Sequence, residues 1–144
     1  MILTNFYQSL TRHAIVAILA ISICFSSAAS ASATSYDEAK RISRKDATDT
    51  THRDWYLGQM RPAFRQLFEP LLQACAASTK ATEPPSFGLV FVVSSSGLPG
   101  RLFWREHSDL TRCLEEGIRR MSFPPAPKNE FYFGLEVAAP VASV

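Results

Sequence analysis

Between Pro62 and Cys75 the apolar residues Phe64, Leu67, Phe68, Leu71, Leu72 and Cys75 recur at i, i+3, i+4, i+7, i+8 and i+11. That is the stripe of an amphipathic helix. The period then changes. In FGLVFVVS, Phe87 to Ser94, one face carries Phe87, Leu89, Phe91 and Val93, and the other Gly88, Val90 and Val92. Apolar residues on both faces predict the central strand of a sheet. SSSGLPG follows as a turn, with Gly97 and Gly100 free to take positive φ and Pro99 fixing its own. RLFWRE, Arg101 to Glu106, alternates imperfectly and is charged at both ends, as suits an edge strand. Leu110, Cys113, Leu114, Gly117, Ile118 and Met121 return to the helical period. Ser108 or Asp109 can cap that helix, and Phe123 before Pro124 must leave the α region, which ends it by Ser122. The aromatic run from Glu130 to Val137 is the last strand.

The order helix–strand–strand–helix–strand is that of an α+β domain. The second helix carries the chain back across the sheet, so the last strand runs antiparallel to the first. A three-stranded antiparallel sheet then takes the order 2-1-3, packed against helices, with both the second and the last strand at edges. Asp54 can cap a first turn and Pro62 suits the first position of the main helix. Pro70, inside the periodic run, predicts a kink or a restart. The segment from Ala77 to Ser86 reads as a loop closed by a proline pair.

The amino end follows another grammar. Arg12 precedes an apolar run, Ala14 to Phe25, that is shorter than the ~20 residues of a membrane span. Small residues follow, with Ala29-Ser30-Ala31 and Ala31-Ser32-Ala33 both fitting the A-x-A cleavage pattern. Residues 1–33 therefore read as a secretory signal peptide, cleaved near Ala31 or Ala33. An uncleaved anchor is the alternative, and a lipoprotein reading through Cys24 suffers from the branched Ile23 before it. Residues 34–53 are polar and mixed in charge, and read as a flexible tether that buries too little to offset the entropy of ordering. The domain proper is assigned to residues 54–139.

Charge and composition exclude more than they assign. In 144 residues, of which 47% are apolar, the net charge is +2, and Lys40–Arg41 and Arg119–Arg120 are pairs rather than patches. That is no nucleic-acid footprint. Removal of the leader leaves two cysteines, Cys75 and Cys113, each on the buried stripe of a helix, in an oxidising compartment. A bridge between them would stabilise by roughly 3–4 kcal/mol; the alternative is two buried thiols acting as small apolar residues. His52 and His107 have no partner at ligand spacing, so no metal or cofactor is expected. Cys113 with His107 could form a nucleophilic pair only if the thiol were accessible. Ser94 to Ser96 lack the glycine frame of a nucleophile elbow. Glu115 and Glu116 diverge on a helix, and Asp109 serves better as a cap. No catalytic set emerges.

Taken together, the helix ending in Cys75, LVFVVSSSGLPGRLFW, and LTRCLEEGIRRMSFPPAP before a final aromatic strand resemble the TonB C-terminal domain superfamily, especially its AgmX/PglI-type variant. The resemblance covers about Pro62 to Val137. It implies a non-catalytic protein-binding or adaptor module of the cell envelope, in which an extended peptide adds to the free edge of the last strand. By position that edge is Phe131, Tyr132, Phe133, Gly134 and Leu135. Unlike the energy transducers of that superfamily, this chain has no long proline-rich spacer, and its amino end looks cleavable. Two other readings stay open: a membrane-anchored transducer or accessory subunit, which needs the leader retained, and a small periplasmic enzyme.

Overall fold

The computed structural model describes residues 32–79 and 86–138. The leader up to position 31, Cys24 included, and most of the proline-closed loop lie outside them. The order is α1 (Tyr36–Thr48), α2 (Arg53–Trp55), a π-helical turn (Tyr56–Met60), α3 (Arg61–Ser78), β1 (Phe87–Ser94), β2 (Pro99–Trp104), α4 (Asp109–Ile118) and β3 (Glu130–Val137). The fold is α+β, and the sheet is antiparallel in the order β2-β1-β3.

β1 is buried from Phe87 through Val93, so both its faces are dry. On one face Phe87, Leu89, Phe91, Val93, Phe131 and Phe133 meet Phe64 and Phe68 of α3 and Leu114 and Ile118 of α4. Aromatic rings dominate this core. Phe64 lies 4.7 Å from both Phe68 and Phe133, centroid to centroid, within the range where such pairs add to plain burial. On the other face Val90, Val92 and Tyr132 pack with Ala33 and Ala39.

The second face overturns the tether. Residues 34–53 are not a flexible spacer: Tyr36–Thr48 is a helix capped by Ser35, whose side chain accepts from the Glu38 N–H. Its inward stripe is Ala39, Ser43 and Asp46, which are small or polar, so few large apolar residues advertise it. Small residues bring the helix axis close to the sheet instead. A Cβ on Gly134 would lie 2.6 Å from the Ser43 hydroxyl, and one on Gly88 would lie 2.1 Å from that of Tyr36. The two strand glycines are the seats into which α1 fits.

Further differences from expectation have local causes. Residues 53–78 form one helical stretch with a π-helical turn near its start, where the Arg61 N–H reaches the Tyr56 carbonyl. Pro62 follows directly; it lacks an N–H and crowds the carbonyl four residues back, and the wider turn accommodates it. Pro70 neither ends nor restarts α3. β2 begins at Pro99, two residues earlier than expected, because the ladder pairs Val93 with Pro99 beyond an irregularity. Proline is tolerated at that strand's first position, where no ladder donor is needed. α4 closes at Ile118, which leaves Arg119 and Arg120 in the turn after it. The proline segment is less inert than expected. Phe123 donates to Gly97 at 2.8 Å and Ala126 to Ser94 at 3.1 Å, fastening the linker to the β1–β2 turn. Gly97, at φ 80°, is required there, because a Cβ would lie 2.1 Å from the Phe123 carbonyl oxygen.

Cys75 and Cys113 form a disulfide, with Cα atoms 5.7 Å apart and a sequence separation of 38. It joins the carboxyl end of α3 to the middle of α4. Closing a loop of that length is worth roughly 4 kcal/mol on the chain-entropy estimate. Replacing both cysteines by alanine is expected to lower the urea midpoint by that equivalent while leaving the circular dichroism spectrum unchanged. An unchanged midpoint would show that the bridge carries none of the stability.

Candidate functional site

Among the described residues β3 pairs with β1 alone, which leaves its other side a free sheet edge there. In an antiparallel ladder alternate residues turn their N–H and C=O toward the partner strand and away from it. Tyr132 is one of the outward residues: its N–H is taken by Asp46 Oδ2 of α1 at 2.9 Å. By the same alternation Gly134 and Glu136 face outward, whereas Phe131, Phe133 and Leu135 turn their backbone groups to β1. Among the described residues, no side chain or loop group is bonded to the N–H of Gly134 or of Glu136.

Of the five residues assigned to the binding edge, three are therefore placed differently from a uniformly open edge. Phe131, Tyr132 and Phe133 are buried, and their side chains belong to the two cores. Phe131 is enclosed by Trp55 and Tyr56, at 4.8 and 5.9 Å between centroids. At Tyr132 the edge is closed. The Asp46 carboxylate, only 6% exposed, is held there by Lys128 Nζ at 2.6 Å as well as by the Tyr132 N–H. An inward carboxylate occupying an edge N–H is a common way to blunt a sheet edge. The open part is Gly134 to Val137.

That open half runs between two grooves. One, of about 210 Å³, is lined by Tyr36, Lys40, Ser43 and Arg44 of α1 with Gly134 to Glu136 of β3. The other, of about 400 Å³, lies toward α3, with Phe64, Phe68 and Leu72 beneath Arg61 and Arg65. Tyr56, from the π-helical turn, borders both. Glu136 ties α1 to the strand: it pairs with Lys40, and it accepts from Arg105 Nη1 and the Tyr36 hydroxyl, each at 3.3 Å. The Lys40 hydrogen bond holds the Glu136 carboxyl below the usual carboxylate range, against a smaller opposing effect of desolvation. Burial, with Glu136 second, pushes the Tyr36 phenol up.

At the other end of β3, Arg101 gathers the residues just before α1. Its guanidinium donates to the Ala33 carbonyl at 3.2 Å, the Ser32 hydroxyl at 3.2 Å, Glu130 at 3.1 Å and the Tyr132 hydroxyl at 3.0 Å. The Ala33 N–H donates to the same hydroxyl at 3.3 Å. Sequence reading treats Arg101 as an edge charge, since partners so far away in the chain leave no local signal.

The residues weighed for catalysis have structural engagements. Cys113 is in the disulfide. Ser108 and Thr111 form a reciprocal capping box at the start of α4. Glu115 accepts from Trp104 Nε1 at 2.9 Å and from Arg119 at 2.7 Å, and Asp109 pairs with Arg112. His107 lines a hollow of about 450 Å³ with Trp104, Asp109, Arg112 and Glu115, whereas His52 lies edge-on to Phe131. Among the described residues no three His, Cys, Asp or Glu side chains come together as a metal site would require. Ser94 and Ser96 bond to each other within the β1–β2 turn.

Comparison with protein-family models, with curated proteins and with solved structures finds no match. The geometry of this chain must therefore carry the functional argument.

The Glu136 cluster fixes a pH dependence. Its carboxyl gives up its proton more readily in the folded chain than in the unfolded one, so its stabilisation is complete above the ordinary glutamate value. That contribution fades as pH falls below about 4.3 and through the lowered value. The ion pairs are exposed, so the effect is small. Glu136→Gln is expected to speed amide exchange in Tyr36–Thr48 at pH 7 and to match the wild type in acid. A wild-type advantage that persisted in acid would show that the ion pairs do not hold α1.

Proposed function

We propose that this chain is an exported, non-catalytic binding module of the cell envelope, similar to TonB C-terminal domains, that captures an extended segment of a partner protein on the open half of β3. One observation carries the reading. Gly134 and Glu136 present outward backbone groups between two grooves, while the next outward N–H, at Tyr132, is closed by Asp46. An unpaired stretch flanked by side-chain grooves is what strand addition requires: main-chain bonds supply affinity and the grooves supply selectivity. Export is supported by the leader-like pattern of residues 1–33 and by the Cys75–Cys113 bridge, since disulfides persist in oxidising compartments.

The rival reading, a membrane-anchored transducer or accessory subunit, needs residues 14–31 retained. Among the described residues no helix is long and apolar enough to cross a membrane, and residues 14–31 lie outside them. Reach counts against transduction over a distance. The expected tether is helix α1, and Arg101 already holds Ser32 and Ala33, so no spacer remains between residue 31 and the fold.

The two halves of the proposal separate experimentally. Glu136→Ala and Glu136→Pro lose the same ion pairs, but only proline also removes the outward N–H. A partner captured by wild type and by Glu136→Ala is expected to be lost with Glu136→Pro; capture by all three would move the site away from the edge. Intact mass of the protein from cell fractions tests export. A soluble species starting near Ser32, which keeps Ala33 in the second core and the Arg101 contacts, and two hydrogens lighter before reduction, is expected. A full-length species in the membrane fraction would favour the anchored reading.

A further inference from the structure

The charges around the open half-edge are unbalanced. Arg61 and Arg65 stand one turn apart on α3 at the rim of the larger groove, and Arg44 of α1 lines the smaller one. All three are exposed, and among the described residues none has a carboxylate within salt-bridge distance. Lys40, the other cation there, is already paired with Glu136. Against these three unpaired guanidinium groups the grooves offer one unpaired carboxylate, Glu69. Below the arginine rim the floor is apolar, made of Phe64, Phe68, Leu72 and Phe133.

We infer that the segment captured on β3 is an acidic one: a short extended stretch of a partner protein with apolar residues at its centre and Asp or Glu side chains on either side. The inference rests on the edge-capture reading and names the chemistry of the occupant. A strand added to β3 sends successive side chains to opposite faces, one toward α1 and the next toward α3. Apolar side chains directed toward α3 cover Phe64, Phe68 and Leu72. Carboxylates at the ends reach Arg61 and Arg65 on that side and Arg44 on the other, and guanidinium groups bind carboxylates with two parallel hydrogen bonds. Asp46 also limits the length, because pairing that starts at Val137 runs out at Tyr132, where the edge is already occupied. A basic segment would meet three like charges, which such an interface disfavours.

Two labelled peptides of equal length test this by fluorescence anisotropy at low salt: acetyl-Glu-Glu-Val-Leu-Glu-Glu-amide and acetyl-Lys-Lys-Val-Leu-Lys-Lys-amide. The acidic peptide is expected to bind the wild-type protein about tenfold or more tightly than the basic one, and to weaken as salt rises. The triple variant Arg44→Glu, Arg61→Glu, Arg65→Glu is expected to reverse that preference; these side chains are exposed, and an unchanged circular dichroism spectrum checks the fold. Equal binding of both peptides, unaffected by the triple variant but lost in Glu136→Pro, would overturn the acidic class and leave edge capture standing. Acidic binding that survives Glu136→Pro would overturn the inference as well, because the arginines would then be attracting the peptide without the strand. Binding of neither peptide would overturn the class, and edge capture would be decided by the alanine and proline variants at Glu136.

Discussion

A three-stranded sheet whose central strand is apolar on both faces cannot stand with one face wet. Val90, Val92 and Tyr132 would each expose a large side chain, and leaving a valine in water forgoes about 1.5–3 kcal/mol. The fold depends on covering both faces. One is met by α3 and α4, stapled together by Cys75–Cys113 and filled with phenylalanine rings. The other is met by α1, and so a segment with few large apolar residues becomes indispensable. It succeeds by proximity: Ala39 and Ser43 face a strand that carries Gly134, and the short separation lets backbone and small side chains fill the space.

That placement also shapes the edge. A helix lying across β3 brings Asp46 to the Tyr132 N–H and Lys40 to Glu136, at opposite ends of its inward side. The first contact occupies the strand's backbone, whereas the second engages only a side chain and leaves the backbone free. Half of β3 is thus closed and half stays open, by the same helix. The blunting matters physically, because an unprotected edge of eight residues rich in aromatics would be a template for edge-to-edge association. Among the described residues the opening is restricted to Gly134–Val137, between grooves.

The helices over the larger core, the central position of β1, the edge position of β3 and the sheet order were all legible, because each rests on periodicity and on chain geometry. The cysteine pairing was legible as a preference, from two helical stripes that each carry one cysteine. Helix α1 was not. Its inward residues are Ala39, Ser43 and Asp46, which on composition alone cannot be told from a solvated segment. One signal exists: Gly88, Val90 and Val92 form an apolar second face, which demands a cover, and residues 34–53 are a stretch long enough to supply it. The closing of Tyr132 by Asp46, and the gathering of Ser32 and Ala33 by Arg101, join residues far apart in the chain and belong to tertiary structure alone.

The same helix bears on how far the domain can reach. A transducer working across a compartment needs a spacer, and a free chain of about twenty residues spans at most ~70 Å. Here those residues are spent on the fold. α1 lies on the sheet, α2 and the π-helical turn lead directly into α3, and Arg101 anchors the chain at Ser32. Recovering reach would mean detaching α1, which exposes Val90 and Val92, strands the Asp46 carboxylate and frees the Tyr132 N–H. Covering the sheet and extending from a membrane are therefore alternatives for this segment. The buried stripe of α1 stabilises the first.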